Sequence, residues 1–211
     1  MNIHDDLYKK ITPETSFLFE LWQPEETAVV LGRSQTADRE VNLSNCLKDQ
    51  VPVLKRRGGG GAVVLMPGVL CFTIAFLSDL SISPYFFFKE INQFIIDELE
   101  SAFHIDSLSQ RGISDITIGV HKIFGCSIFK SRNLFFYQGS LLVDPDLEMV
   151  SRYLQHPSKE PDYRAGRPHA DFISSLHQSG YPLSLEHLKW HFEESIPAKL
   201  VNIVQGDRTG G

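Results

Sequence analysis

Three strand-like segments follow one another with almost no chain between them: Asp115–Ile118, Lys122–Phe129 and Leu134–Val143. Gly119-Val120-His121 and Ser131-Arg132-Asn133 join them. Links this short reverse a strand; they cannot carry the crossover that a parallel pair requires, so the three segments lie antiparallel. Upstream, Ser16–Trp22, Thr27–Leu31, Val51–Leu54, Ala62–Leu65 and Leu70–Phe76 read as further strands, the last two parted by the turn Met66-Pro67-Gly68. Helices are fewer. From Pro84 to Phe103 the apolar residues Phe87, Ile91, Phe94, Ile95, Leu99 and Phe103 recur at helical spacing, with Ser83 as cap and Pro84 in the first turn. Asp146–Leu154 and Ser184–Phe192 are shorter helix candidates, and Gln155–Pro168 reads as a loop. A strict alternation of strand and helix is missing. The expected class is therefore α+β, a mixed, largely antiparallel sheet flanked by helices, and not a Rossmann or TIM fold.

The 211 residues are 42% apolar and 22% charged. That composition suits one soluble domain with a real core, expected over residues 1–204, with a frayed polar tail at 205–211. Against 20 Lys and Arg stand 26 Asp and Glu, a net charge of −6, so a global basic field for nucleic acid is absent. The polar, acidic start has no basic region followed by an apolar stretch, and no run nears the roughly 18 apolar residues of a membrane span. Neither a secretory signal nor a membrane partner is expected. Cys46, Cys71 and Cys126 lie far apart, which fits free thiols in a reducing cytoplasm and not a disulfide framework or a thiolate metal site.

Chemistry concentrates in two stretches. In Lys55-Arg56-Arg57-Gly58-Gly59-Gly60-Gly61-Ala62-Val63-Val64, three cations meet four glycines ahead of a strand. Glycines let backbone amides close on a ligand, successive amides form anion-binding nests, and Arg presents a planar fork to phosphate or carboxylate. A phosphate-bearing ligand is the functional reading; a surface turn with solvated charges is the bland one. The loop is neither a Walker A loop nor a dinucleotide fingerprint. In the second stretch, Ser114 to Ser127, Lys122 stands between apolar strand segments, where it meets an anionic substrate or faces solvent. Asp115 holds a divalent metal beside phosphates or caps a turn.

These stretches, in this order, resemble the lipoate–protein ligase family, within the group that also holds biotin ligases and octanoyltransferases. That family carries Arg-Arg-x-x-Gly-Gly-Gly-Ala-Val, then Arg-Asn-Asp, Gly-Arg-Lys-Ile-x-Gly-x-Ala and His-His-Gly-Thr-Leu-Leu. Here the similar stretches are Arg56–Val63, Ile113-Ser114-Asp115, Val120–Ser127 and Tyr137-Gln138-Gly139-Ser140-Leu141-Leu142. Gly32-Arg33-Ser34-Gln35 looks like the family's Gly-Arg-x-Gln strand end, and Tyr163–Phe172 is similar to an Arg-x-x-Arg-x-His segment of some members.

The resemblance implies a biotin/lipoate-ligase-like catalytic domain without the small C-terminal accessory domain of full-size ligases, which would be missing or a separate polypeptide. It implies two steps: lipoate attacks ATP to give lipoyl-adenylate, then an acceptor lysine takes the lipoyl group as an amide. Carried over, Arg56 faces the adenylate phosphate, and Lys122 contacts both the lipoate carbonyl and the phosphate. Gly59, Gly60, Gly61, Ala62, Val63 and Val64 line the nucleotide and acyl pocket, with Gly125, Gly139 and Ser140 completing the ATP and lipoyl-adenylate set. Asp115 sits near the phosphates through Mg2+. The implied acceptors are lipoyl domains of 2-oxoacid dehydrogenase E2 subunits or the glycine-cleavage H protein, docking on a basic face at Arg164 and Arg167. The chain departs from the family at Leu65-Met66, where His-Asp is usual. Two other readings stand beside this one: an octanoyl or lipoyl transferase working through a Cys thioester without ATP, and a degenerate lipoyl-binding member.

Overall fold

Residues 3–79 and 81–205 are described by a computed structural model. After a 3-10 turn at Leu7–Lys10 come β1 (Phe17–Trp22), β2 (Ala28–Leu31), α1 (Ala37–Glu40), α2 (Leu43–Lys48), β3 (Val53–Lys55), β4 (Val63–Leu65) and β5 (Val69–Leu77). Then follow α3 (Pro84–Phe103), β6 (Leu108–Arg111), β7 (Asp115–Ile118), β8 (His121–Ser131), β9 (Leu134–Leu142), α4 (Glu148–Tyr153), a 3-10 turn at Asp162–Arg164, α5 (His169–Phe172) and α6 (Leu185–Gln205). The expected tail, Gln205 apart, lies outside the described residues.

The short turns after β7 and β8 do what their length dictates. β7, β8 and β9 pair antiparallel within a six-stranded sheet of order β1-β5-β9-β8-β7-β6. A smaller sheet, β3-β2-β4, pairs β2 with β3 in parallel. The α1–α2 segment between them provides the crossover that a parallel pair needs. The strand reading missed β6, whose Leu-Ser-Gln-Arg sequence carries no apolar alternation.

Strand β5 is buried on both faces. Leu70, Phe72, Ile74 and Phe76 face α3 and α6, while Val69 and Cys71 face the small sheet. Helix α3 starts where Ser83 Oγ accepts the Tyr85 N–H, and ends where His104 turns left-handed at φ 54°. Its stripe Phe87, Ile91, Ile95, Leu99 enters the larger core. Helix α6 runs well past the expected stop at Phe192 and through Pro197. Leu188, Phe192, Ile196, Leu200 and Val204 recur every four residues and are fully buried. That burial outweighs the one helical hydrogen bond that the proline removes.

Register places the site. One row across five strands aligns Trp22, Cys71, Ser140, Gly125 and Asp115. Residues up to 118 positions apart in sequence are thereby brought abreast of one another.

Candidate active site

A cleft of about 110 Å3 lies between the two sheets. The large sheet contributes Trp22, Cys71, Ser140 and Gly125 from that row, and Thr73, Gln138 and Ser127 from the row two residues on. The small sheet and the glycine loop contribute Val30, Arg56, Gly60, Gly61, Ala62, Val63 and Leu65. Lys122 and Ser114 also line it. A larger hollow of about 470 Å3 runs between α3 and β6. Its lining lacks both the glycine loop and Lys122, so the chemistry belongs to the smaller cleft.

The cleft gathers Arg56, Gly60, Gly61, Ala62, Val63, Lys122, Gly125, Gly139 and Ser140 of the expected set. Three expected residues are placed elsewhere. Gly59 is exposed on the loop. Val64 points the opposite way from Val63 and Leu65, as strand alternation demands, and packs in the second core. Asp115 sits behind Lys122, outside the lining. Sequence reasoning missed Trp22, Phe72, Cys71, Thr73, Cys126, Ser127 and Gln138 as lining residues. Only the sheet register brings them together, and no local motif marks them.

The three cations of the glycine loop part company. Lys55 Nζ donates to the Gln35 carbonyl at 3.0 Å. Arg57 turns to the N-terminal segment, 3.9 Å from Asp5 and over the Tyr8 ring. Arg56 alone reaches the cleft, and it wraps its own loop: Nη2 donates to the carbonyls of Gly59 at 2.6 Å and Gly61 at 2.8 Å, and Nη1 to Val30 at 3.3 Å. Burial lowers the Arg56 pKa to about 10, with Asp5 acting against it, so it stays a cation at neutral pH. The loop needs glycine where the chain turns at Gly60, φ 86°. It also needs glycine where it presses on Gly32: a Cβ there would fall 2.1 Å from the Gly60 carbonyl oxygen. Gln35 Oε1 accepts the Gly32 N–H at 2.9 Å, which explains the strand-end glycine and glutamine together.

Lys122 is about a quarter exposed, and its Nζ lies 2.8 Å from Oδ1 of the nearly buried Asp115. Gly125 makes room for it, since a Cβ there would meet Nζ at 2.6 Å. Tyr163 donates its hydroxyl to Asp115 Oδ2 at 2.7 Å. Both carboxylate oxygens are thus engaged. Among the described residues, no group of three His, Cys, Asp or Glu is placed to hold a metal. Asp115 is a partner for Lys122.

The thiols are poor nucleophiles. Burial pushes Cys126 up to about 12 and Cys71 further still. Cys126 Sγ donates to Asn92 Oδ1 and to the Ser114 carbonyl. The expected docking arginines are structural. Arg164 is buried, pairs with Glu160 at 3.3 Å and lies over the Phe172 ring. Arg167 donates to the carbonyls of Val120, Tyr163, Arg164 and Asp171. No helix among the described residues is long and apolar enough to cross a membrane.

With this geometry in hand, three likenesses are informative. The chain is 30% identical over 160 residues to lipoate–protein ligase 1 of Plasmodium falciparum, covering 73% of this chain and 37% of that protein. It spans less than half the length of the curated relatives it matches. In fold it is similar to the Thermoplasma acidophilum bi-partite lipoate protein ligase, solved in a study of that ligase and its E2 lipoyl domain (TM-score 0.80, 20% identity, 93% of this chain and 76% of that one). A lipoate-protein ligase A bound with ATP superposes comparably (TM-score 0.77, 21% identity, 93% and 78%). The model of the lipoyl protein ligase A/B catalytic domain matches residues 1–196, and the chain belongs to that family.

Proposed function

We propose that the protein activates lipoate with ATP and passes the lipoyl group to a lysine of a lipoyl domain. The observation that carries this reading is that Lys122 and Arg56, two cations far apart in sequence, line one glycine-walled cleft with apolar sides. In the first step a lipoate carboxylate oxygen attacks the α-phosphorus of ATP, and pyrophosphate leaves with the electron pair. Negative charge builds on the phosphoryl oxygens beside a carboxylate that is already anionic. A fixed ammonium and guanidinium in a narrow cleft stabilise that charge. In the second step the acceptor amine attacks the mixed-anhydride carbonyl, AMP leaves, and the amine loses its extra proton. Lys122 is suited to hold the carbonyl oxygen as it becomes an oxyanion. Trp22, Val30, Val63 and Leu65 give the acyl chain an apolar wall, at roughly 0.8 kcal/mol per buried methylene.

Mg2+ belongs in this account to the nucleotide substrate, carried on its phosphates. Lipoyl domains as acceptors are supported by the family and by the Thermoplasma work, which pairs its ligase with an E2 lipoyl domain. A second polypeptide completing the ligase, as in that bi-partite protein, is part of the proposal. The test is exchange of labelled pyrophosphate into ATP. Exchange that depends on lipoate supports the reading. Absence of exchange, with a thioester on Cys71 or Cys126 found by mass spectrometry, replaces it with the transferase.

A further inference from the structure

The segment from Gln155 to Ser174, whose stretch Gln155–Pro168 reads from sequence as a loop, is fastened to the β7–β8 hairpin that carries Asp115 and Lys122. Arg167 Nη2 donates to the Val120 carbonyl at 3.1 Å in the hairpin turn. The Ser174 N–H donates to the Lys122 carbonyl at 3.0 Å, and Ile173 bridges the Lys122 backbone. Tyr163 stands four residues ahead of Arg167. Its ring is packed by Phe172, with centroids 5.3 Å apart, and lies under the Arg111 guanidinium. Its hydroxyl ends 2.7 Å from Asp115 Oδ2, while the other oxygen, Oδ1, is 2.8 Å from Lys122 Nζ.

We propose that Tyr163 is a positioning residue for Lys122, acting through Asp115. A carboxylate with one oxygen held by a phenol offers only the other to the ammonium. An ammonium has three N–H donors, so one contact to Asp115 leaves two for substrate oxygens. Without the phenol, the carboxylate turns both oxygens to Lys122 and draws the ammonium back from the cleft. Burial, then the adjacent Asp115 charge, push the Tyr163 pKa far above its ordinary value, so the hydroxyl only donates across the working pH range. Tyr163→Phe removes that hydroxyl and keeps the ring packing.

The inference rests on the ligase reading for its kinetic consequence, so the test has one arm with substrate and one without. In the first, Tyr163→Phe lowers kcat of lipoate-dependent pyrophosphate exchange about tenfold, with KM for lipoate and ATP held within about twofold, as expected for a lost bond to a charged group. Placed on Asp115→Asn, the same change has no further effect, because the two act in series. In the second arm, labelling of Lys122 by an amine-directed reagent is mapped by mass spectrometry without substrate. It slows at least about twofold in Tyr163→Phe and is unaffected by Tyr163→Phe on Asp115→Asn. Unchanged Lys122 labelling in Tyr163→Phe overturns the proposal whatever the reaction proves to be. Additive losses in the double variant overturn it as well. Absence of exchange in the unsubstituted protein, with Lys122 labelling still dependent on Tyr163, overturns the ligase reading and leaves the positioning role standing.

Discussion

An ammonium held at 2.8 Å by a nearly buried carboxylate is fixed in direction before any substrate arrives. Such fixed charge accelerates reactions because no reorganisation is needed as charge develops. Lys122→Ala should lower lipoate-dependent pyrophosphate exchange by about a thousandfold. It also leaves Asp115 with Tyr163 as its main partner, so urea unfolding should report a loss of about 1–3 kcal/mol. At Gly32 the constraint is steric. A methyl group 2.1 Å from the Gly60 oxygen forces the glycine loop outward. Gly32→Ala should raise KM for ATP about tenfold and cost about 1–3 kcal/mol of stability, measured by initial rates and denaturant melts. The residues of the glycine loop and Lys122 were legible in the sequence because their types are unusual: a glycine run beside cations, and a lysine inside apolar strands. Asp115 was legible as a position, but its contact with Tyr163, 48 residues away, was not. Arg164 and Arg167 misled for a related reason. A charge says nothing about whether backbone carbonyls or solvent will receive it.

Elements whose order follows from short-range rules were readable. Helix α3 has a cap, an early proline and one apolar stripe, and its bounds matched the structure. The β7–β8–β9 meander followed from turn length alone. Helix α6 was cut short because its later half owes its shape to tertiary burial. Phe192→Ala should therefore cost about 3–5 kcal/mol in denaturant melts. The same two helices are tied by a charge cluster. Glu98 of α3 is buried and accepts His191 Nε2 at 2.7 Å and the Lys199 ammonium of α6. Burial alone would raise its pKa, but the hydrogen bonds from Lys199 and His191 and the Lys199 charge outweigh burial and hold it below the usual value. A depressed carboxylate adds stability above its unfolded pKa and loses it as pH falls through the folded one. The gap in Tm between the unsubstituted protein and Glu98→Gln should be widest near neutral pH and close below about pH 4.3.

At the scale of the molecule, the site is a seam. The large sheet supplies the floor, the small sheet the glycine loop, and one register row brings Trp22, Cys71, Ser140 and Gly125 abreast. Sequence supplied the strands but not the pairings of Trp22 with Cys71 and of Cys71 with Ser140, 49 and 69 residues apart, so the cleft wall stayed hidden while the loop did not. The central claim is that an acyl-adenylate occupies this seam with its phosphate and carbonyl oxygens at Lys122 and Arg56. A crystal structure with lipoyl-AMP bound tests it most directly. The account predicts the Lys122 ammonium within hydrogen-bonding distance of the mixed-anhydride oxygens and the acyl chain against Trp22 and Val63. Lipoyl-AMP lodged in the hollow between α3 and β6, with Lys122 still turned wholly to Asp115, would contradict it.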